Sequence, residues 1–348
     1  MEWIPVKQEP IRTKRKVQQL GSSTLAVTVP AEWARTHNVE KGDEIVVQQD
    51  NEGGALLLVP QQPDVPESEA SLDADVLSGK ALERALITQY ILGRHLIRIE
   101  GTTALGLDHR DGVLAAERRL MGLSAVEEGG TYMTVRCSVA PDDFDLQTML
   151  ERLGRTETSM RQGAIDALID GDVSTARQVS SRYHQIEKLY FLFLRLSFAT
   201  YRNPRLSQVI GIESGFPLIA YRSVVQEITQ MAETAVEISE LVTQYDGTAP
   251  VDDVAEHLRE ITTPLDDAMN RIWSVVNSPS YQEAEAARNA LNTVDESIAA
   301  FHETLRNERP EPLLLLQRVA DLLERTASHA EDSLSVLTQL SHHQSGRR

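Results

Sequence analysis

The residues best suited to chemistry are cationic and lie near the start of the chain. Arg12-Thr13-Lys14-Arg15-Lys16 places four positive charges in five residues, and Arg35 follows on a short predicted helix. Guanidinium and ammonium groups in such a run suit phosphate oxygens, and phosphate contacts supply most sequence-independent DNA affinity. The same run also reads as a solvated basic lead-in. Elsewhere the candidates are few. Cys137 is the single cysteine, which excludes an intrachain disulfide and a thiolate metal cluster. No base or orienting group stands near it in sequence, so it reads as a small strand residue rather than a nucleophile. His329, with Glu324 and Asp332 on one predicted helix, has the makings of a ligand set or an acid–base pair, or of an ordinary surface histidine. His342 and His343 fall in a polar tail. No P-loop, dinucleotide glycine pattern or Ser/His/Asp set is present, so an enzyme is not expected.

These residues must be positioned by a chain that changes character along its length. In the first sixty residues, Leu25 to Val29 alternates as a strand and stops at Pro30; a short helix follows from Ala31 to His37. Lys41-Gly42-Asp43 turns into a strand over Glu44 to Val47, and Gly53-Gly54 turns into another over Ala55 to Val59. So short a β-rich unit cannot bury a core alone and needs a twin. Gln61 to Glu69 is polar, acidic and proline-bearing, which predicts a linker over 61–79. Between 80 and 142, helices are predicted over Leu82 to Gly93 and Asp108 to Leu120. Strands are predicted over His95 to Ile99 and Tyr132 to Val139, with Leu123 to Glu127 pairing with the latter. That is an α+β module. From Asp145 the chain reads as six long helices: 145–169, 173–200, 216–245, 251–276, 281–307 and 312–341, separated by turns that carry Gly or Pro. Val225, Ile228, Ala232, Ala235, Ile238 and Val242 recur at three- and four-residue steps, the mark of one buried face.

The 348 residues carry a formal charge of −18, from 34 basic and 52 acidic side chains. Nearly all of that excess lies beyond residue 60, so the acidic body repels nucleic acid and any DNA contact falls to the head. Only 6 of the basic residues are lysine. An acid-rich, lysine-poor composition reads either as adaptation to high salt or as the signature of a high-GC genome that encodes Arg in place of Lys. No apolar run approaches membrane-spanning length and no signal-peptide pattern opens the chain, so a cytoplasmic protein is expected.

The head resembles the AbrB (SpoVT/AbrB-like) family of swapped-hairpin DNA-binding domains. The residues that carry this are Arg15-Lys16-Val17, Leu20-Gly21, Val29-Pro30, Glu32, Arg35, Val39 and Lys41-Gly42-Asp43; Gly21 to Trp33 is similar to the archaeal variant. The resemblance implies a dimeric swapped-hairpin β-barrel over 1–60 that binds double-stranded DNA. Arg15, Lys16 and Arg35 match DNA-contacting positions, and Arg12 and Lys14 are neighbours of the same chemistry. Ser22 and Ala34 stand where founding members carry arginine.

The region 143–342 resembles PhoU, the phosphate-signalling family of paired three-helix bundles, with repeats at about 145–246 and 250–342. The residues that carry it are Gly171-Asp172, Ile186 to Leu192, Ala235 to Glu240 and Leu323 to Asp332. The family places E/D-x-x-x-D carboxylates on two helices per repeat to hold metal. Glu187, Glu233 and Glu324 stand at such positions, but Thr229, Ala299 and Ser328 replace expected partners, and His184 precedes Glu187. Asp295 and Glu296 are the acids nearest in kind for the second repeat. A divalent metal is therefore expected weakly, at fewer positions, or not at all; the other reading is an acidic solvated face. The fusion of the two families is a known archaeal arrangement, so the chain resembles a haloarchaeal-type phosphate uptake regulator. The implied function is a homodimeric DNA-binding transcriptional regulator of phosphate uptake. The alternative is an adaptor that contacts a phosphate-transporter ATPase, with the head serving only for dimerisation.

Overall fold

A computed structural model describes residues 14–49, 56–60, 68–202, 206–213, 215–278 and 280–345. Arg12, the Gly53-Gly54 turn, linker residues 61–67, Asn203-Pro204 and Pro279 lie outside the described residues. The chain divides into two units, Met1–Pro66 and Glu67–Arg348.

In the first unit, β1 (Gln18–Leu20) pairs antiparallel with β2 (Thr24–Ala26) around a turn in which Gly21 holds φ 79°. The strand expected to run to Val29 ends at Ala26, because its partner is only three residues long. Pro30 leads into α1 (Ala31–Thr36), and His37 Nδ1 meets the Trp33 carbonyl at 2.8 Å as the two rings stack. β3 (Ile45–Gln49) then pairs antiparallel with β4 (Leu56–Pro60). Two hairpins and one helix do not enclose an interior: among the residues of this unit whose side chains are described, none is buried. Val17, Leu20, Leu25, Val27, Val46, Val47, Leu56 and Leu58 are all exposed.

The second unit opens on a strand where a linker is expected. Glu69–Asp73, expected as linker, is a strand, β5, and α2 (Gly79–Ile91) starts within the same expected linker. The reason is alternation: Ala70 and Leu72 turn inward while Glu69, Ser71 and Asp73 face water. β5 pairs parallel with β6 (Leu96–Glu100), α2 making the crossover. After α3 (Leu107–Arg119), the hairpin of β7 (Leu123–Glu128) and β8 (Tyr132–Cys137) completes a mixed sheet in the order β5-β6-β8-β7. Leu82, Leu86 and Tyr90 of α2 and Val113 and Ala116 of α3 are buried with Ile97, Ile99 and Val135 of the sheet. The two helices approach closely where Gly112 leaves no side chain; a Cβ there would lie 2.7 Å from the Gly79 carbonyl oxygen.

The rest is helical: α4 (Leu146–Asp170), α5 (Val173–Arg202), the one-turn α6 (Leu206–Val209), α7 (Phe216–Gln244), α8 (Asp252–Asn277), α9 (Tyr281–Asn307) and α10 (Leu313–Ser345). Each long helix buries one apolar face, as with Val225, Ile228, Ala232, Ala235, Ile238 and Val242 on α7. α4, α5 and α7 form one bundle and α8, α9 and α10 another, with α7 against α10 as the broad seam. The Thr234 and Thr326 hydroxyls meet at 2.7 Å within that seam. Across α4 and α8, buried Arg161 joins Glu157 at 2.8 Å and also pairs with Asp266. His342 and His343, expected in a polar tail, belong to the last turn of α10, beside the rings of Tyr281 and Phe216. No helix among the described residues is long and apolar enough to cross a membrane.

Candidate functional site

Two sets of residues carry candidate function, one in each unit. In the first, Lys14, Arg15 and Lys16 precede β1 and are fully solvent-facing; Arg35 lies on the exposed side of α1. Its Nε donates to the Ala31 carbonyl at 3.3 Å, which orients the guanidinium along the helix. Among the described residues none of these four cations is ion-paired with a carboxylate, although Glu32, Glu40, Asp43 and Glu44 lie in the same unit. Asp43 instead accepts the Glu40 backbone N–H at 2.7 Å and closes the Lys41-Gly42-Asp43 turn. Cations on a short β-unit that are not ion-paired can meet phosphate oxygens without first giving up a carboxylate.

In the second unit the family acids are placed unequally. Glu187 on α5 is nearly buried, and its Oε1 receives Arg119 Nε at 2.9 Å and Nη2 at 2.7 Å. Its Oε2 lies 3.3 Å from His184 Nδ1. Arg119, the last residue of α3, also donates through Nη1 to Glu83 of α2 at 2.7 Å and lies over the Phe191 ring. Burial opposes the charge on Arg119, but its hydrogen bonds and its attraction to Glu83 and Glu187 outweigh that and hold the guanidinium above its usual value. On α7, Glu233 accepts from the Tyr183 hydroxyl at 2.6 Å. Burial first, and that hydrogen bond second, hold the Tyr183 phenol well above its ordinary range. Thr229, where a carboxylate partner was expected, is buried and donates to Val225 of its own helix at 2.8 Å. Glu187 and Glu233 each have one oxygen, Oε1, engaged by a guanidinium or a phenol, and among the described residues neither belongs to a set of three converging ligands.

In the second repeat Glu324 is open. It lies with Asp321 and with His302 of α9, the three offering ligand atoms within 4.8 Å of one another. Asp295 is close enough that burial, and then the Glu324 charge, raise its carboxyl above the usual range. An imidazole and carboxylates suit a borderline divalent cation in kind. His329 does not meet Glu324. It turns to the seam, where its Nδ1 lies 2.7 Å from Glu227 of α7, with Asp332 beside them. Arg119, Glu227, His302 and Asp321 were not among the sequence candidates. Asp321 stands three residues before Glu324 and was open to inspection; the others are brought in from distant helices. Cys137 ends β8 in the core, where burial pushes its thiol up against the opposing charge of Arg195.

A cleft of about 750 Å³ also lies between α4, α5 and α8, lined among others by Glu151, Arg155, Asp166, Arg182 and Trp273. The Trp273 ring rests on Gly154, where a Cβ would come within 2.2 Å of it. Its charges of both signs single out no ligand class.

Residues 18–65 match the family model described as antidote-toxin recognition MazE, bacterial antitoxin. Residues 150–242 match the PhoU domain model, which spans α4 from its second turn through α5 to nearly the end of α7. No match was found among curated proteins. The second bundle, α8 to α10, lies beyond the matched segment and repeats the same three-helix plan. The chain thus joins an N-terminal domain of the MazE/AbrB type to a C-terminal PhoU domain.

Proposed function

We propose that this protein is a homodimeric, DNA-binding transcriptional regulator of phosphate uptake. The observation that carries the reading is the head itself. Among its residues whose side chains are described it has no buried one, a set of exposed apolar side chains, and four cations without carboxylate partners, on a segment that matches a MazE-type domain. Two copies that interleave their hairpins cover those apolar side chains and double the cationic set for a DNA groove. Lys14, Arg15, Lys16 and Arg35 are the proposed phosphate contacts, with Arg12 as a further one. The PhoU domain receives the phosphate signal, through contact with another protein. The chain acts by binding rather than by catalysis, in the cytoplasm and, on its acid-rich composition, at high salt.

A second reading is favoured by the charge. The chain as a whole carries −18, and an acidic body opposes approach to DNA. In that reading the head is only a dimerisation clamp and the PhoU domain is an adaptor for a phosphate-transporter ATPase. Footprinting with DNA from upstream of phosphate-transport genes separates the two. Protection that is lost in Arg15→Ala/Lys16→Ala supports the regulator. A stable dimer that protects no fragment at any salt concentration favours the adaptor.

A further inference from the structure

We infer that the first PhoU repeat takes an internal guanidinium in place of a metal ion, with Arg119 as the resident cation of Glu187. The geometry is that of a filled site. Two nitrogens of Arg119 converge on one Glu187 oxygen at 2.7 and 2.9 Å, the third nitrogen holds Glu83 at 2.7 Å, and the Phe191 ring covers the guanidinium. A divalent ion on the same oxygen would sit at roughly 2.0–2.6 Å from it, in the space the guanidinium occupies. Ion and guanidinium would also repel at that distance, so the two exclude one another. One oxygen of the neighbouring acid is engaged as well, since Tyr183 donates to Glu233 Oε1.

The source of the cation gives the arrangement its consequence. Arg119 belongs to the α+β module and Glu187 to the helical body, so the ion pair is a clamp between them. A second clamp runs the other way. Arg195 of α5, nearly fully buried, donates to the carbonyls of Tyr90 at 2.6 Å and Arg94 at 3.0 Å, at the end of α2, and stacks on the Tyr90 ring. It holds the module in place when Arg119 is changed. By linkage, a cation forced onto Glu187 loosens the α3 end of the module, and a seated Arg119 keeps cations out. The second repeat has no such plug: no arginine is paired with Glu324 among the described residues, and His302 and Asp321 stand beside it. The two repeats are therefore unequal toward metal.

The test uses the full chain carrying His302→Ala, Glu324→Gln and His329→Gln, which breaks both sets of converging ligands among the described residues, and reads Mn²⁺ by equilibrium dialysis. This background chain is expected to bind no Mn²⁺, and adding Arg119→Gln to gain about one equivalent. That equivalent is lost again when Glu187→Gln is added, and Arg119→Lys keeps the site closed. Hydrogen exchange at the C-terminal end of α3 is expected to rise in Arg119→Gln while α5 stays protected. Mn²⁺ bound by the background chain in a Glu187-dependent way overturns the inference. So does a folded Arg119→Gln variant that gains none. If Arg119→Gln does not fold, Arg119→Lys and the background chain decide: Glu187-dependent Mn²⁺ in either refutes the plug, and none in both supports it. The outcome does not depend on DNA binding, so failure here leaves the regulator reading standing.

Discussion

Leu25→Asp is the sharpest test of the head. Eight large apolar side chains of this unit, Leu25 among them, are 38–70% exposed in the single chain. Full burial of a Val or Leu side chain is worth about 1.5–3 kcal/mol, so covering the exposed half of each adds roughly 1 kcal/mol, about 8 per chain and about 16 for a pair. Association itself costs roughly 4–15 kcal/mol, which leaves a net gain of about 1–12 kcal/mol. That window contains the roughly 8 kcal/mol of a micromolar Kd. An aspartate at position 25, where the leucine is 70% exposed, forfeits about 1–2 kcal/mol of burial and adds about 1–3 for desolvating an unpaired polar group. Two copies double the loss to about 4–10 kcal/mol, so the Kd should rise by about a thousandfold or more. Sedimentation velocity over a wide concentration range reads this directly. Leu314→Asp is the control, since Leu314 is 74% exposed on α10 but outside the head. A Leu25→Asp chain that sediments like the unchanged protein refutes the reasoning, as does an unchanged protein that is monomeric throughout.

Changing Arg15 and Lys16 to Ala in both copies removes up to four phosphate contacts. The plot of log affinity against log salt should then become shallower by roughly 3–4, and an unchanged slope rules these residues out as contacts. Arg161→Met strips the cation from Glu157, which is 0% exposed, and should cost about 3–5 kcal/mol. Thermal unfolding should show a Tm lower by roughly 6–20 °C, largely restored by adding Glu157→Leu; a shift of only a degree or two would mean the α4–α8 pairing holds little. With a formal charge of −18, screening should raise Tm between dilute buffer and molar KCl, and a flat profile counts against salt adaptation.

The helical body is legible in the sequence almost residue for residue. Six periodic stretches became α4, α5, α7, α8, α9 and α10, because the 3.6-residue period and the Gly or Pro that ends it are local properties of the chain. Also legible are α2, α3 and the pairing of β7 with β8, whose turn lies within a few residues. β5 does not read as a strand in the sequence because its parallel partner lies beyond a whole helix, while its own residues are acidic enough to pass for linker. The head reads from length and alternation as three strands and a helix that cannot close alone; β1 is not among those strands, and its pairing with β2 makes two separate hairpin sheets. The partners of the charged groups follow from packing between distant helices. Glu187 and Glu324 look alike in sequence, yet one is met by Arg119 from 68 positions away and the other is exposed beside His302. Periodicity says which face of a helix a carboxylate occupies, but the cation it meets depends on which other helix is packed there, and that is settled only when the core closes.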